Sequence, residues 1–266
     1  MKKERRYLKI NSKKEYLLMP CLLRTVISWI ILSNALFADE FILDSTDIMP
    51  YESWYAAPFI NYLHNKQGAN VELPALESKV GLDPNLHTRF ILPVVRLRAP
   101  KRALSHYGYG DPHLDMKYRF FNDVKGSGYS AAIFPKFTIP IGNAKQGLGN
   151  GKLFVRLPFW VQKDWDNWKV TVGGGYAINQ AKNQFNFFYG GPLIRNQVTK
   201  KLLLGIEFVA QGAANLNDKK FFVVNFGGQY NFTPNYFFQL SAGHSVAGAN
   251  RLVGYIGFGT TWGPGI

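Results

Sequence analysis

From about residue 51 onward, apolar and polar side chains alternate with a period of two. In "GDPHLDMKYRFF" (110–121), Leu114, Met116, Tyr118 and Phe120 fall on one parity, and His113, Asp115, Lys117 and Arg119 on the other. A period of two is that of an extended strand whose faces differ. The pattern recurs in "GKLFVRLPFWVQK", where Leu153, Val155, Leu157, Phe159 and Val161 oppose Lys152, Arg156, Trp160 and Gln162. In "KLLLGIEFVAQG", Leu202, Leu204, Ile206, Phe208 and Ala210 oppose Lys201, Glu207 and Gln211. Gly, Asn, Asp or Pro separate such segments. The spacing predicts strands near 52–63, 69–80, 85–98, 108–121, 128–141, 151–163, 167–179, 184–196, 200–211, 219–232, 235–245 and 251–262.

These segments are longer than the five or six residues usual in a soluble sandwich, and they match a tilted strand crossing a bilayer. Bulky aromatics fill the apolar parity and recur toward strand ends (Tyr176, Tyr230, Phe232, Tyr236, Trp262). A soluble sandwich shows the same alternation, but rarely with so many large rings on such long strands. The expected fold is all-β, a transmembrane antiparallel up-and-down β-barrel of about twelve strands, which closes without a free edge. Its apolar parity meets lipid and its polar parity lines the lumen. On that register His113, Asp115, Lys117, Arg119, Lys136, Arg156 and Glu207 project inward as candidate lumen-lining and solute-binding residues. Such groups either pair and plug the interior or set the field of a narrow channel. Pro135, Pro140 and Pro158 interrupt proposed strands, so they are expected at rims or bulges.

The first residues follow another pattern. A basic segment precedes an apolar run of 14 residues from Thr25 to Ala38, the length of a signal-peptide core and short of a spanning helix. The expected organisation is a signal peptide (1–38), a lead-in (39–50) and an outer-membrane barrel (51–262). Met19 is an alternative start, and an uncleaved anchor is the alternative to cleavage. Cys21, the only cysteine, lies within the signal, so the mature chain is expected to have neither disulfide nor thiolate site.

The formal charge of +14 falls to +8 once the +6 of residues 1–38 is set aside. The remaining basic residues are dispersed and no nucleic-acid motif is present, which argues against nucleic acid as a partner. The surplus suits lipopolysaccharide at the rim or an anionic small-molecule solute inside. Toward the C-terminus, "LVGYIGFGTTW" places Gly257 five residues before Trp262 and Tyr255 two before the glycine. That is similar to the signal read by bacterial barrel-assembly machinery, with Thr260 and the trailing "GPGI" departing from it.

Catalytic and cofactor chemistry find little support. His244 and Ser245 are adjacent and therefore face opposite ways, whereas a hydrolase pair on one strand needs a spacing of two. "GLGNGKL" lacks the first glycine and the final Ser/Thr of a phosphate loop. The five histidines form no short-spaced ligand pair, so no metal and no cofactor is expected.

The segments "YGYGDPHLDMKYRFF" and "AIFPKFTIPIGNAKQGLGNG" resemble the bacterial outer-membrane proteins named for the meta-pathway of phenol degradation. The resemblance rests on Gly110-Asp111, Lys117-Tyr118-Arg119, the run Phe134 to Gly142, and Gly147-x-Gly149-x-Gly151. It implies a barrel and suggests passage of hydrophobic or aromatic compounds. The expected function is a non-enzymatic outer-membrane channel for small solutes. The alternatives are a surface structural or adhesive barrel with a plugged lumen, and a lipid-modifying hydrolase.

Overall fold

A computed structural model describes residues 41–65, 68–98, 106–216, 218–264 and 266. The expected signal peptide lies outside the described residues. The strands are β1 (Trp54–Asn65), β2 (Gly68–Asp83), β3 (Leu86–Arg98), β4 (His106–Tyr109), β5 (His113–Asp123), β6 (Tyr129–Ile133), β7 (Lys136–Thr138), β8 (Phe154–Trp165), β9 (Trp168–Asn179), β10 (Phe187–Gln197), β11 (Leu202–Gln211), β12 (Phe221–Asn231), β13 (Tyr236–Gly248) and β14 (Arg251–Trp262). β4 and β5 both pair with β3, while β6 and β7 both pair with β5 and β8. The fourteen segments therefore make twelve antiparallel walls. β1 pairs with β14 from Trp54↔Trp262 to Asn65↔Arg251, which closes the sheet on itself. Closure satisfies the backbone donors and acceptors that lipid cannot.

The two parities separate as the alternation requires. Leu114, Met116, Tyr118 and Phe120 are 46–48% exposed, whereas Asp115 is 0% and Lys117 5% exposed. The inversion of the usual soluble pattern is the signature of a lipid-facing outer surface around a polar interior. Trp54, Trp165, Trp168, Tyr236 and Trp262 ring one end of the barrel and stand partly outside it. That end carries the short turns 84–85, 124–128, 166–167, 198–201 and 232–235, and the longer connections 139–153, 180–186 and 212–220 are at the other. Short turns mark the periplasmic side of such barrels. In the two-residue turn 166–167, Asp166 takes φ 48°, a left-handed conformation that Asp tolerates better than most residues.

The prolines correct the sequence-based expectation at two of three positions. Pro140 lies beyond the end of β7, in the 139–153 loop. Pro158 is inside β8 and Pro135 lies between β6 and β7, and neither is at a rim or bulge. The pairs Ile133↔Phe159 and Lys136↔Arg156 flank them with equal numbers of residues on each side, so the register runs through unbroken. Each proline keeps its carbonyl in the ladder: Phe134 N donates to Pro158 O (3.2 Å) and Met116 N to Pro135 O (3.0 Å). Only the return donors are lost. A true bulge lies one wall away. Between Val94↔Tyr109 and Ile91↔His113, three residues (110–112) oppose two (92–93), and Asp111 turns inward at 6% exposure.

Candidate functional site

The barrel register sets a row of charges across four adjacent walls. Arg89 on β3 pairs with Asp115 on β5, Asp115 with Lys136 on β7, and Lys136 with Arg156 on β8. All four lie on the inward parity. Arg89 holds Asp115 through two nitrogens, Nε at 2.8 Å and Nη2 at 2.5 Å, and lies 3.6 Å from Glu77 on β2. Asp115 and Glu77 are fully buried, and buried carboxylates persist where cations and donors compensate them. Phe134, beside Pro135, also points inward and is 1% exposed. Three cations lie over its ring: Arg89 at 4.7 Å, Lys117 at 4.5 Å and Lys136 at 4.5 Å from the centroid.

Residues 41–50, which precede β1, run inside this lumen as an inlay. Glu207 on β11 accepts the backbone N–H of Ile42 and of Leu43, both at 2.7 Å, and Asn225 Nδ2 at 2.7 Å. Asp44 meets Lys136 at 2.5 Å. Thr46 N donates to Gln162 Oε1 (3.3 Å), and its hydroxyl lies 2.6 Å from Ser130 Oγ. Asp47 receives Lys169 Nζ at 2.8 Å and Arg195 Nη2 at 2.7 Å. Met49 N donates to His87 Nδ1 at 3.0 Å. Phe41 and Leu43 complete the docking by packing against Trp160, Leu193, Val209 and Val223.

Each carboxylate of the inlay is electrostatically committed to its place. Enclosure would raise Asp47, but Arg195 and Lys169 outweigh it and hold the carboxyl well below its ordinary 3.8. Enclosure likewise opposes ionisation of Asp44, and Lys136, Lys117 and Arg89 more than offset it, so this group is lowered too.

The inlay divides the interior. Toward the periplasmic end lies a cavity of about 380 Å³ bordered by Asp47, Tyr55, Lys79 and Phe237. Toward the long loops lies one of about 340 Å³ bordered by Phe59, His113, Lys136, Arg156 and Tyr255. Phe41 and Asp44 border both.

The seven candidates from the sequence thus occupy different places. Asp115, Lys136 and Arg156 form the row with Arg89, and Lys117 shares the Phe134 ring. His113 borders the upper cavity with Nδ1 3.4 Å from Thr138 Oγ1. Glu207 grips the inlay. Arg119 stands apart at the periplasmic rim, bonding Pro84 O (3.2 Å) and Asn85 Oδ1 (3.4 Å). Arg89, Glu77, Arg195 and Gln162 were not singled out, although their inward parity was readable. Asp44 and Asp47 carried no such signal, because "FILDSTDIMP" has no period. His244 and Ser245 do face opposite ways, the first exposed and the second 8% exposed.

A family model described as "Putative MetA-pathway of phenol degradation" matches residues 61–258. The chain belongs to that family. The matched span holds most of the barrel and leaves the inlay outside it. Among solved structures, an outer-membrane channel from Pseudomonas putida F1 superposes with a TM-score of 0.68 at 15% identity, over 84% of this chain and 100% of that one. The KdgM porin gives 0.53 at 11% identity, over 77% and 99%. The NanC porin gives 0.51 at 8%, over 76% and 98%. A comparison with curated protein sequences finds no match. At these identities the likeness shows a shared fold, the outer-membrane β-barrel. The motif through which the sequence resembles the family also acquires a physical role. Asp111 accepts Gly142 N (2.7 Å) and Asn150 N (2.5 Å), which fastens the 139–153 loop to the bulge. A Cβ at Gly149 would come within 2.4 Å of Asp111 Oδ1.

Proposed function

We propose that this protein is a passive outer-membrane channel for small hydrophobic or aromatic solutes, closed at rest by residues 41–50. The observation that carries this reading is the inlay itself, a short segment seated between two solvent-sized cavities in a closed barrel. Its hold is mostly polar, made of hydrogen bonds and ion pairs that water can replace. A segment packed only through apolar contacts would lack that exchange. Family membership and the porin fold support the same reading.

The reading is non-catalytic. His244 and Ser245 are on opposite faces, and Glu77, Asp115, Asp44, Asp47 and Glu207 are occupied by Arg89, Lys136, Lys169, Arg195 or the inlay backbone. Export through a signal peptide ending at Ala38, folding by barrel-assembly machinery and contact with outer-membrane lipid and lipopolysaccharide belong to this proposal. A structural barrel with a permanent plug is the rival, favoured by the number of bonds that hold the inlay.

The deciding experiment is single-channel recording in planar bilayers on protein purified from outer membranes. Discrete current steps, more frequent when Glu207 is replaced, support a gated channel. Electrical silence from folded wild type and folded Glu207 variant alike overturns it in favour of the permanent plug.

A further inference from the structure

The charge row of the lumen is unbalanced at one end. Arg89 is neutralised by Asp115 and Lys136 by Asp44. Arg156 makes no hydrogen bond or ion pair among the described residues, and its Nε is buried without a partner. Its guanidinium lies 5.8 Å from the Phe154 ring and borders the 340 Å³ cavity above the inlay. A guanidinium is a planar fork of donors matched to a carboxylate, and leaving one unmatched in a semi-enclosed space is costly.

The far side of that cavity is of opposite character. Tyr255 on β14 stands six walls from Arg156, diametrically across a twelve-wall barrel. Its ring stacks on Phe59 with centroids 5.7 Å apart and planes 27° apart, and Ile91 and Val253 extend the apolar surface. Glu72 also borders the cavity, on β2, and Asn61 Nδ2 approaches it at 3.4 Å. It lies beyond ion-pair distance of Arg156, although the two charges attract across the cavity. Its charge repels an anion from the β2 side and so favours placement against β8. The volume is at the lower end of the roughly 300–1,000 Å³ typical of small-molecule sites, which suits a single ring.

We infer that the upper cavity is a binding subsite for monocyclic aromatic carboxylates, with Arg156 holding the carboxylate and the Phe59–Tyr255 side receiving the ring. The inference rests on the channel reading only for its role, since such a site would select solutes entering from the long-loop end. Binding itself is independent of conductance.

The test is isothermal titration calorimetry on the folded protein in detergent micelles, with benzoate, benzyl alcohol, acetate and benzylamine as probes. Benzoate is expected to bind saturably and at least tenfold more tightly than acetate or benzyl alcohol. Arg156→Gln, checked for folding by heat-modifiable migration, is expected to weaken benzoate about tenfold or more, and Arg156→Lys less. Equal benzoate affinity in wild type and Arg156→Gln overturns the site. So does benzyl alcohol binding as tightly as benzoate, or a preference for benzylamine, which would make Glu72 the recognising pole. Should Arg156→Gln fail to fold, the wild-type ranking of the four probes decides alone. Conductance without benzoate binding would sink the subsite and leave the channel standing. Benzoate binding to an electrically silent barrel would do the reverse.

Discussion

Glu207 and Leu43 are 164 residues apart in sequence and are joined by a 2.7 Å hydrogen bond from the Leu43 amide to Glu207 Oε2, with the Ile42 amide on Oε1. Two successive amides on one buried carboxylate make a bidentate clamp on the chain itself. Bonds to a charged acceptor are worth about 1.5–3 kcal/mol each. Glu207→Gln leaves one acceptor oxygen and is expected to shift the docked-to-released ratio of the inlay roughly ten- to hundredfold. Open probability in planar bilayers should rise accordingly, and gating identical to wild type would show that the clamp is elsewhere.

The inlay should also respond to acid, in one direction. Asp44 and Asp47 both titrate below the ordinary 3.8 when docked. A carboxylate lowered by docking contributes fully above its free value, and that contribution is lost as the pH falls through the lowered one. The share of docking that Asp44 and Asp47 supply is therefore expected to stay constant from pH 7 to about 4.5 and to be lost only below the free value, adding a rise in conductance there. Asp44→Asn with Asp47→Asn should raise conductance at neutral pH and remove the acid response. A rise already complete near pH 5 would point to other groups.

The lipid-facing parity of β5 makes a separate prediction. An arginine near mid-bilayer on such a surface costs about 2–4 kcal/mol. Met116→Arg should lower the heat-modifiable, folded fraction, while Lys117→Met on the next residue should spare assembly and change conductance. Normal assembly of Met116→Arg would mean that this face does not meet lipid.

Asp111 ties the 139–153 loop through two backbone amides. Asp111→Ala removes both acceptors and should make the loop markedly more susceptible to protease added to intact cells, with the barrel still folded. Unchanged cleavage would show that Leu148, which is 5% exposed, suffices to seat the loop.

Much of this architecture was readable from the period of two. Because side chains alternate strictly along a strand, fixing Met116 outside places Asp115 and Lys117 inside, and the same step places Arg156 and Glu207. What the alternation does not carry is which inward charges meet. That depends on the stagger between walls, set by turns such as 166–167 and by the bulge at 110–112. The partnership of Arg89 with Asp115 is thus invisible along the chain, although both parities were plain. The inlay was illegible for a different reason. Residues 41–50 have no repeating pattern, because they borrow their hydrogen-bond and ion-pair partners from eight different strands. Pro135 and Pro158 depart from the expectation because a lost donor does not cost the register when the retained carbonyl keeps the wall aligned.

The clamp on Glu207 has a consequence for how such a lumen can diversify. It reads main-chain amides and is indifferent to the side chains at 42 and 43. Yet Phe41, Ile42 and Asp44 floor the upper cavity. A ten-residue strip can therefore be exchanged like an insert in a mould, altering the shape and polarity presented to cargo while every wall strand, turn and lipid contact stays as it is.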